Sequence, residues 1–85
     1  MGKTLMHDKS IDFAIRIVKL SQYLCAEHKE FILSKQLLRS GTSIGAMIRE
    51  SEYAESIADF IHKFSIAQKE CNETMYWLEL LYKTN

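Results

Sequence analysis

The apolar residues of this chain recur every three or four positions, which is the spacing of one face of an α-helix. The pattern predicts three helices, at about 9–27, 32–52 and 56–83, and we place the first connection at the polar run 28–30. The chain has no proline and only three glycines, so it lacks the turn residues that strands require. We therefore predict a single all-α domain over 1–85, an antiparallel up-and-down helical bundle.

The first predicted helix carries two apolar stripes side by side. One stripe comprises Phe13, Ile17, Leu20 and Leu24, and the other comprises Ile11, Ala14, Val18 and Cys25. Together they form a face wide enough to pack against two neighbouring helices, as in a bundle. Asp8 or Ser10 is the predicted cap at the start of this helix.

The middle of the second predicted helix is rich in poor helix formers, in the stretch LLRSGTSIGAMIRE at 37–50. An interior glycine costs about 1 kcal/mol relative to alanine, and a close approach between helices would compensate. Gly41 and Gly45 share one face, so we predict that both lie at a helix-packing or subunit interface. A helix break at 40–43 remains an alternative. A phosphate-binding loop is excluded, because its longer glycine spacing, its lysine and its preceding strand are all missing.

The third predicted helix begins with a capping box formed by Ser56 and Asp59. Its apolar stripe comprises Ile57, Phe60, Phe64, Ala67, Cys71, Met75, Leu78 and Tyr82. The segment TMYWLELLYK at 74–83 is apolar nearly all round, and an uncovered patch of that kind is unusual on a monomer. We therefore predict that another subunit or a fourth helix covers this end. The residues assigned to that interface are Met75, Trp77, Leu80 and Leu81.

The charges are divided along the chain although the net charge is zero. Up to Arg49 there are eight Lys and Arg against four Asp and Glu, and from Glu50 onward there are three against seven. We interpret this division as basic helices that pair with an acidic one, within the fold or between subunits. The candidate contacts for RNA or DNA are Arg16, Lys19, Lys35, Arg39 and Arg49. Because these cations are few for this length of chain, we predict at most moderate, salt-sensitive binding of nucleic acid.

The residues that often carry chemistry have structural interpretations in this chain. Asp59 and His62 have the spacing used in carboxylate-bridged metal bundles, but those sites need ligands from four helices. Cys25 and Cys71 fall at apolar helical positions and are predicted to be buried free thiols. We therefore predict a protein that is not an enzyme and has no cofactor, metal or small-molecule substrate. The absence of a signal peptide and of a membrane-spanning run predicts a cytoplasmic location.

Four segments together resemble a known family: DFAIRIVKL at 12–20, LSKQLLRSGTSIGAMIRE at 33–50, ADFIHKFSIAQKE at 58–70 and NETMYWLELL at 72–81. They are similar to the four-helix-bundle proteins encoded in intervening sequences of bacterial 23S ribosomal RNA genes. The resemblance implies an antiparallel bundle that assembles as a homopentamer. Most members have no known function. Their gene location, and their kinship with accessory proteins of diversity-generating retroelements, imply association with nucleic acid or with a reverse transcriptase.

The chain departs from the family pattern in three places. It has Met47 where members commonly have asparagine, and Gly45 where many have proline, which implies a local irregularity in the second helix. A fourth helix, usual in the family, is not found after Asn85. The leading hypothesis is a non-enzymatic homo-oligomeric accessory or scaffold that contacts RNA, DNA or an RNA-handling enzyme. The alternative is a structural module that contacts only proteins.

Overall fold

The structure is a computed structural model that describes the backbone of residues 2–84 and the side chains of residues 5–84. It contains three helices: α1 at Gly2–His28, α2 at Leu33–Ser51 and α3 at Ile57–Thr84. No strand occurs within this part of the chain. The prediction of an all-α bundle with three helices is confirmed. None of the three helices combines the length and the apolar character required to cross a membrane.

The first helix begins earlier than predicted. Asp8 and Ser10 were expected to cap it, but both lie inside α1, so that prediction is wrong. The hydroxyl of Ser10 is buried and donates to the carbonyl oxygen of His7 at 2.9 Å, instead of accepting from a free amide. Met6 continues the apolar side of α1 and lines a cavity with Ile48, which gives the additional turns a packing partner.

Glu30 closes the connection between α1 and α2. Lys29 adopts a left-handed backbone conformation (φ 54°), as is usual for the residue that ends a helix. The amide of Glu30 then donates to the carbonyl oxygen of Leu24 at 3.0 Å. Its carboxylate accepts from the amides of Leu33 and Ser34, at 3.1 and 2.9 Å, and so caps the start of α2.

The second helix is continuous through its small polar residues. Thr42 donates to the carbonyl oxygen of Leu38 at 2.7 Å, and Ser43 donates to that of Arg39 at 2.8 Å. Their hydroxyls therefore find partners one turn back, on carbonyl oxygens of the same helix. The helix break considered at 40–43 does not occur.

The capping box predicted at the start of α3 is present. The side-chain oxygen of Ser56 accepts from the amide of Asp59 at 3.0 Å. In return, the carboxylate of Asp59 accepts from the amide of Glu55 at 3.2 Å. The reciprocal bonds satisfy amides that the helix itself leaves free.

The three helices form an elongated unit of 44 × 19 × 16 Å with α2 in the middle. α1 and α3 each pack against α2, yet within residues 2–84 no Cα atom of α1 lies within 8 Å of one in α3. The set of buried apolar residues in the described chain is accordingly small, comprising Ile17, Leu37, Ile48 and Ala67. The buried polar residues are Ser10, Ser21, Ser34, Ser40, Ser51 and Thr74.

α1 and α2 approach each other closely at Gly41. A Cβ atom placed there would meet the Cγ2 and Cγ1 atoms of Ile17 at 2.8 and 2.9 Å. Ile17 is buried and β-branched, so its side chain has little freedom to move aside. At Gly45 the nearest atom is the hydroxyl oxygen of Ser10, at 3.3 Å, which is a less severe approach.

Gly41→Ala is expected to destabilise the protein, whereas Gly45→Ala is expected to be neutral or stabilising. Alanine gains about 1 kcal/mol of helix propensity at either site, but overpacking at Gly41 costs about 1–3 kcal/mol. Urea denaturation of the two variants measures the difference, with Gly45→Ala as the matched control. Equal stabilisation by both substitutions would show that Ile17 does not restrict Gly41.

Candidate functional site

The most prominent surface feature is a groove between α1 and α3, with α2 as its floor. Ile44 and Ile48 of α2 line its base. The apolar stripe of α3 forms one wall, so residues that the helical pattern assigns to a core are partly exposed to solvent. We call this feature the α1–α3 groove.

One end of the α1–α3 groove lies near the connection between α2 and α3. A cavity of about 580 Å³ lies there, lined by Met6, Ile48, Phe60 and Phe64 among others. The rings of Phe60 and Phe64 stack with their centroids 5.0 Å apart, yet Phe60 remains 43% exposed. A partly exposed aromatic pair over an apolar floor is typical of a surface that receives a partner.

The other end of the α1–α3 groove lies between the C-terminal turns of α1 and α3. A smaller cavity of about 390 Å³ is found there, lined by Leu20 and Leu24 of α1 and by Leu78 and Leu81 of α3 among others. Leu81, predicted to lie at an interface, thus faces the groove. Apolar side chains therefore line both ends of the groove.

Cys71 also lies in the wall of the α1–α3 groove. Its thiol is free and the residue is exposed, so the prediction that it is buried is wrong. The reason is that the groove, not another helix, faces this part of the α3 stripe. Cys25 is partly buried, and its sulfur lies 3.5 Å from the hydroxyl oxygen of Ser34.

The other predicted interface residues of α3 lie in different environments. Met75 is 61% exposed, whereas Trp77 and Leu80 are partly buried. The indole nitrogen of Trp77 donates to the carboxylate of Glu73 at 3.0 Å, and its ring meets that of Tyr76 edge-on at 5.1 Å. Trp77 is thus held by its own chain.

Arg39 is engaged by two carboxylates of α3. Its guanidinium donates to Glu70 at 3.2 Å and also forms an ion pair with Glu73. Hydrogen bonding to Glu73 raises the pKa of Arg39. The pKa of Glu73 is lowered, first by the hydrogen bond from Trp77 and then by that from Arg39. One of the five candidate cations is therefore used within the fold, as the pairing of basic and acidic helices predicted.

The other four candidate cations are exposed and scattered. Arg16, Lys19, Lys35 and Arg49 have no ion-pair partner among residues 5–84. Lys35 and Arg49 are separated by about 21 Å along α2, at 1.5 Å per residue. The structure does not gather these residues into one dense basic patch.

Asp59 serves as a cap, as described above. Within the described residues, no group of three or more His, Cys, Asp or Glu side chains is arranged to hold a metal ion. Lys63, one turn further along α3, forms an ion pair with Glu50 at 2.9 Å. The polar surface beside the α2–α3 connection thus links two helices.

The burial of several serines and of Thr74 was not predicted from the sequence. The hydroxyl of Thr74 donates to that of Ser40 at 2.9 Å between α3 and α2, and Ser21 donates to the carbonyl oxygen of Ser34 between α1 and α2. No packing role was predicted for these residues. The available signal was their recurrence at helical spacing beside apolar residues, as at Ser34, Leu37 and Gly41.

The emission of Trp77, the only tryptophan, is expected to change as the pH falls below 4.5, the ordinary pKa of a glutamate. Because the pKa of Glu73 is lowered in the folded state, its pairing stabilises the protein above that pH and is lost as the pH falls through the lowered pKa. A fluorescence titration from neutral pH downward measures this change. Glu73→Gln should remove it, and an unchanged titration in that variant would exclude Glu73 as its source.

Comparison with known proteins adds a family and a solved structure. The model of a family described as 23S rRNA-intervening sequence protein matches residues 3–85. A crystal structure from Bacteroides thetaiotaomicron, described as a protein of unknown function from the S23 ribosomal protein family, is 61% identical with a TM-score of 0.98. The match covers 100% of this chain and 76% of that chain. No curated protein matches this chain.

Proposed function

Because the chain belongs to the 23S rRNA-intervening sequence protein family, we propose that it is a non-catalytic helical scaffold that works as a homo-oligomer. The family resemblance favours five copies. The solved relative is itself of unknown function, so it supplies a fold and not an activity. The support for a scaffold comes from surfaces that the three helices leave uncovered.

The observation that carries this proposal is apolar surface outside the α1–α3 groove. Ile11 and Ile15 of α1 are 43% and 48% exposed, and Leu38 of α2 is 36% exposed. Ile11 and Ile15 are four residues apart and therefore share one face of α1. None of the three lines the cavities of the groove described above. Association of copies through this face would remove these side chains from water.

The chemistry of the groove supports a non-catalytic role. The floor and the α3 wall of its middle part are mostly apolar, and outside this lining Glu70 and Glu73 are ion-paired with Arg39. The lowered pKa of Glu73 holds it as a carboxylate at neutral pH, which disfavours a role as proton donor. A surface of this kind binds other chains.

Light scattering should give a mass well above the 9.9 kDa of one chain, close to five times that value for a pentamer. Ile15→Lys places a charge on the apolar face and is expected to lower this mass. Gln22→Lys adds the same charge at an exposed polar position of α1 and is the matched control. Trp77→Ala, at the other predicted interface, should also weaken assembly. A single-chain mass at every concentration would contradict the proposed oligomer.

Association with RNA or DNA is the second candidate function, favoured by the four exposed cations without ion-pair partners in the described chain. Binding of a short single-stranded RNA should weaken steeply as salt rises. Lys19→Gln should reduce the slope of log affinity against log salt by up to about 1 if this cation contacts a phosphate. Arg39→Gln serves as the comparison, because Arg39 is already paired. Absence of binding at low salt would leave the scaffold role alone.

A further inference from the structure

A cavity beside the α2–α3 connection differs from the α1–α3 groove in its chemistry. It has a volume of about 390 Å³ and is lined by Arg49, Glu50, Tyr53, Glu55, Asp59 and Lys63. None of these residues lines the cavities of the groove described above. Pockets for small ligands have volumes of about 300–1,000 Å³, so this cavity has room for one nucleotide.

We propose that this cavity, which we call the Tyr53 cavity, binds a guanine nucleotide. The base stacks on the ring of Tyr53, and its Watson–Crick edge donates hydrogen bonds to the carboxylate of Glu55. The phosphate contacts the guanidinium of Arg49. The nucleotide is either free or an unpaired residue of single-stranded RNA, and only the second form rests on the RNA association proposed above. Neither form depends on the homo-oligomer.

Tyr53 presents an aromatic ring on a backbone held by hydrogen bonds. Its amide donates to the carbonyl oxygen of Glu50 at 3.1 Å, and the amide of Ala54 donates to that of Ser51 at 3.2 Å. The chain therefore continues in tight turns beyond the end of α2. Tyr53 is nevertheless 79% exposed. An exposed aromatic ring is the usual stacking partner of an unpaired base, because every base has a π-face.

The charged groups of the Tyr53 cavity are only partly used by the fold. Lys63 pairs with Glu50 at 2.9 Å, and this hydrogen bond raises the pKa of Lys63. Asp59 accepts from the backbone amide of Glu55 at 3.2 Å. The side chains of Arg49 and Glu55 have no ion-pair partner among residues 5–84. One cation and one carboxylate of the lining are therefore available to a ligand.

The available carboxylate selects guanine among the four bases of RNA. A carboxylate only accepts hydrogen bonds, so it requires two neighbouring donors on the edge of the base. Guanine alone presents two, at its ring N1 and its exocyclic N2. Adenine and cytosine present an acceptor beside one donor, and uracil has one donor between two acceptors. With any of these, Glu55 would lose a hydrogen bond and face a lone pair.

The charge of the lining limits the ligand to few phosphates. A guanidinium binds phosphate through two parallel hydrogen bonds, so one phosphate is held at Arg49. The lining contains two cations against three carboxylates, which repel any further phosphate placed near them. The base therefore points towards Glu55 and the phosphate away from it. A nucleoside triphosphate gains nothing over the monophosphate.

The test is an NMR titration of the full 85-residue chain at low salt. Guanosine 5′-monophosphate should shift the backbone amides of residues 49–63. It should bind about tenfold more tightly than adenosine 5′-monophosphate, in the range expected for a bidentate contact to one base. Guanosine, which has no phosphate, should bind more weakly, and guanosine triphosphate no more tightly.

Substitution of the stacking residue locates the base. Tyr53→Leu should weaken the binding of guanosine monophosphate about fivefold or more, as expected for the loss of one base–aromatic stack. Tyr82→Leu is the matched control, because Tyr82 is 83% exposed and lines a cavity at the other end of the molecule. The control should bind as the unchanged protein does. Circular dichroism confirms that each variant is folded.

Substitution of the two charged residues separates selectivity from phosphate binding. Glu55→Gln should bring the affinity ratio of guanine to adenine nucleotides close to one, because an amide both donates and accepts. Arg49→Gln should leave that ratio unchanged and remove the advantage of the monophosphate over guanosine. The two variants therefore report on different parts of the ligand.

Two RNA pentanucleotides, UUGUU and UUAUU, distinguish the two sources of the nucleotide. Stronger shifts of the amides of residues 49–63 with the first than with the second would assign the site to guanine in RNA. A response to the free nucleotide but to neither pentanucleotide would assign it to a free ligand, and would count against RNA association alone.

Three outcomes would overturn the proposal: no shift of these amides with any guanine probe, equal affinity for guanine and adenine nucleotides, or equal losses in Tyr53→Leu and Tyr82→Leu. Binding of both pentanucleotides at other amides, without preference between them, would also remove the guanine site. RNA association would then stand without it. Failure of one proposal is therefore distinguishable from failure of the other.

Discussion

The close approach of α1 and α2 at Gly41 is the contact on which the arrangement of the molecule depends. Ile17 occupies the space that a side chain at residue 41 would need, so the two helices meet at van der Waals distance. Small hydroxyl residues continue the same interface, among them Ser21 and Ser34. Among the described residues no buried side-chain nitrogen or oxygen lacks a hydrogen-bond partner, so this close packing leaves no polar group unsatisfied.

That approach fixes α2 as the centre of the fold and separates the other two helices. α3 packs on a different side of α2, with Ser40 and Thr74 bonded across the interface. Since α1 and α3 do not meet within residues 2–84, the apolar stripe of α3 is divided between α2 and an open groove. Ala67 is buried, whereas Phe60 is partly exposed and Met75 is largely exposed. The molecule therefore has the interior of a bundle with one open corner.

The division of charge along the sequence is reflected in ion pairs between helices of the same chain. Arg39 of α2 pairs with Glu70 and Glu73 of α3, and Glu50 pairs with Lys63 across the same two helices. These exposed pairs add little to the free energy of folding, although each of them links α2 to α3. They also pair two of the chain's cations, Arg39 and Lys63, with carboxylates of the same chain.

Local patterns in the sequence determined the three helices and the capping box at Ser56, because helical periodicity and capping depend on neighbours within one turn. Only the tertiary structure decided what each apolar stripe faces. Periodicity marks Cys71 and Ala67 as equivalent, yet one lines an open groove and the other is buried. Periodicity also gave no indication that Glu30 caps α2, because that role depends on the left-handed turn at Lys29. Burial depends on which helices meet, and that choice is made by contacts between residues distant in the chain, such as Ile17 with Gly41.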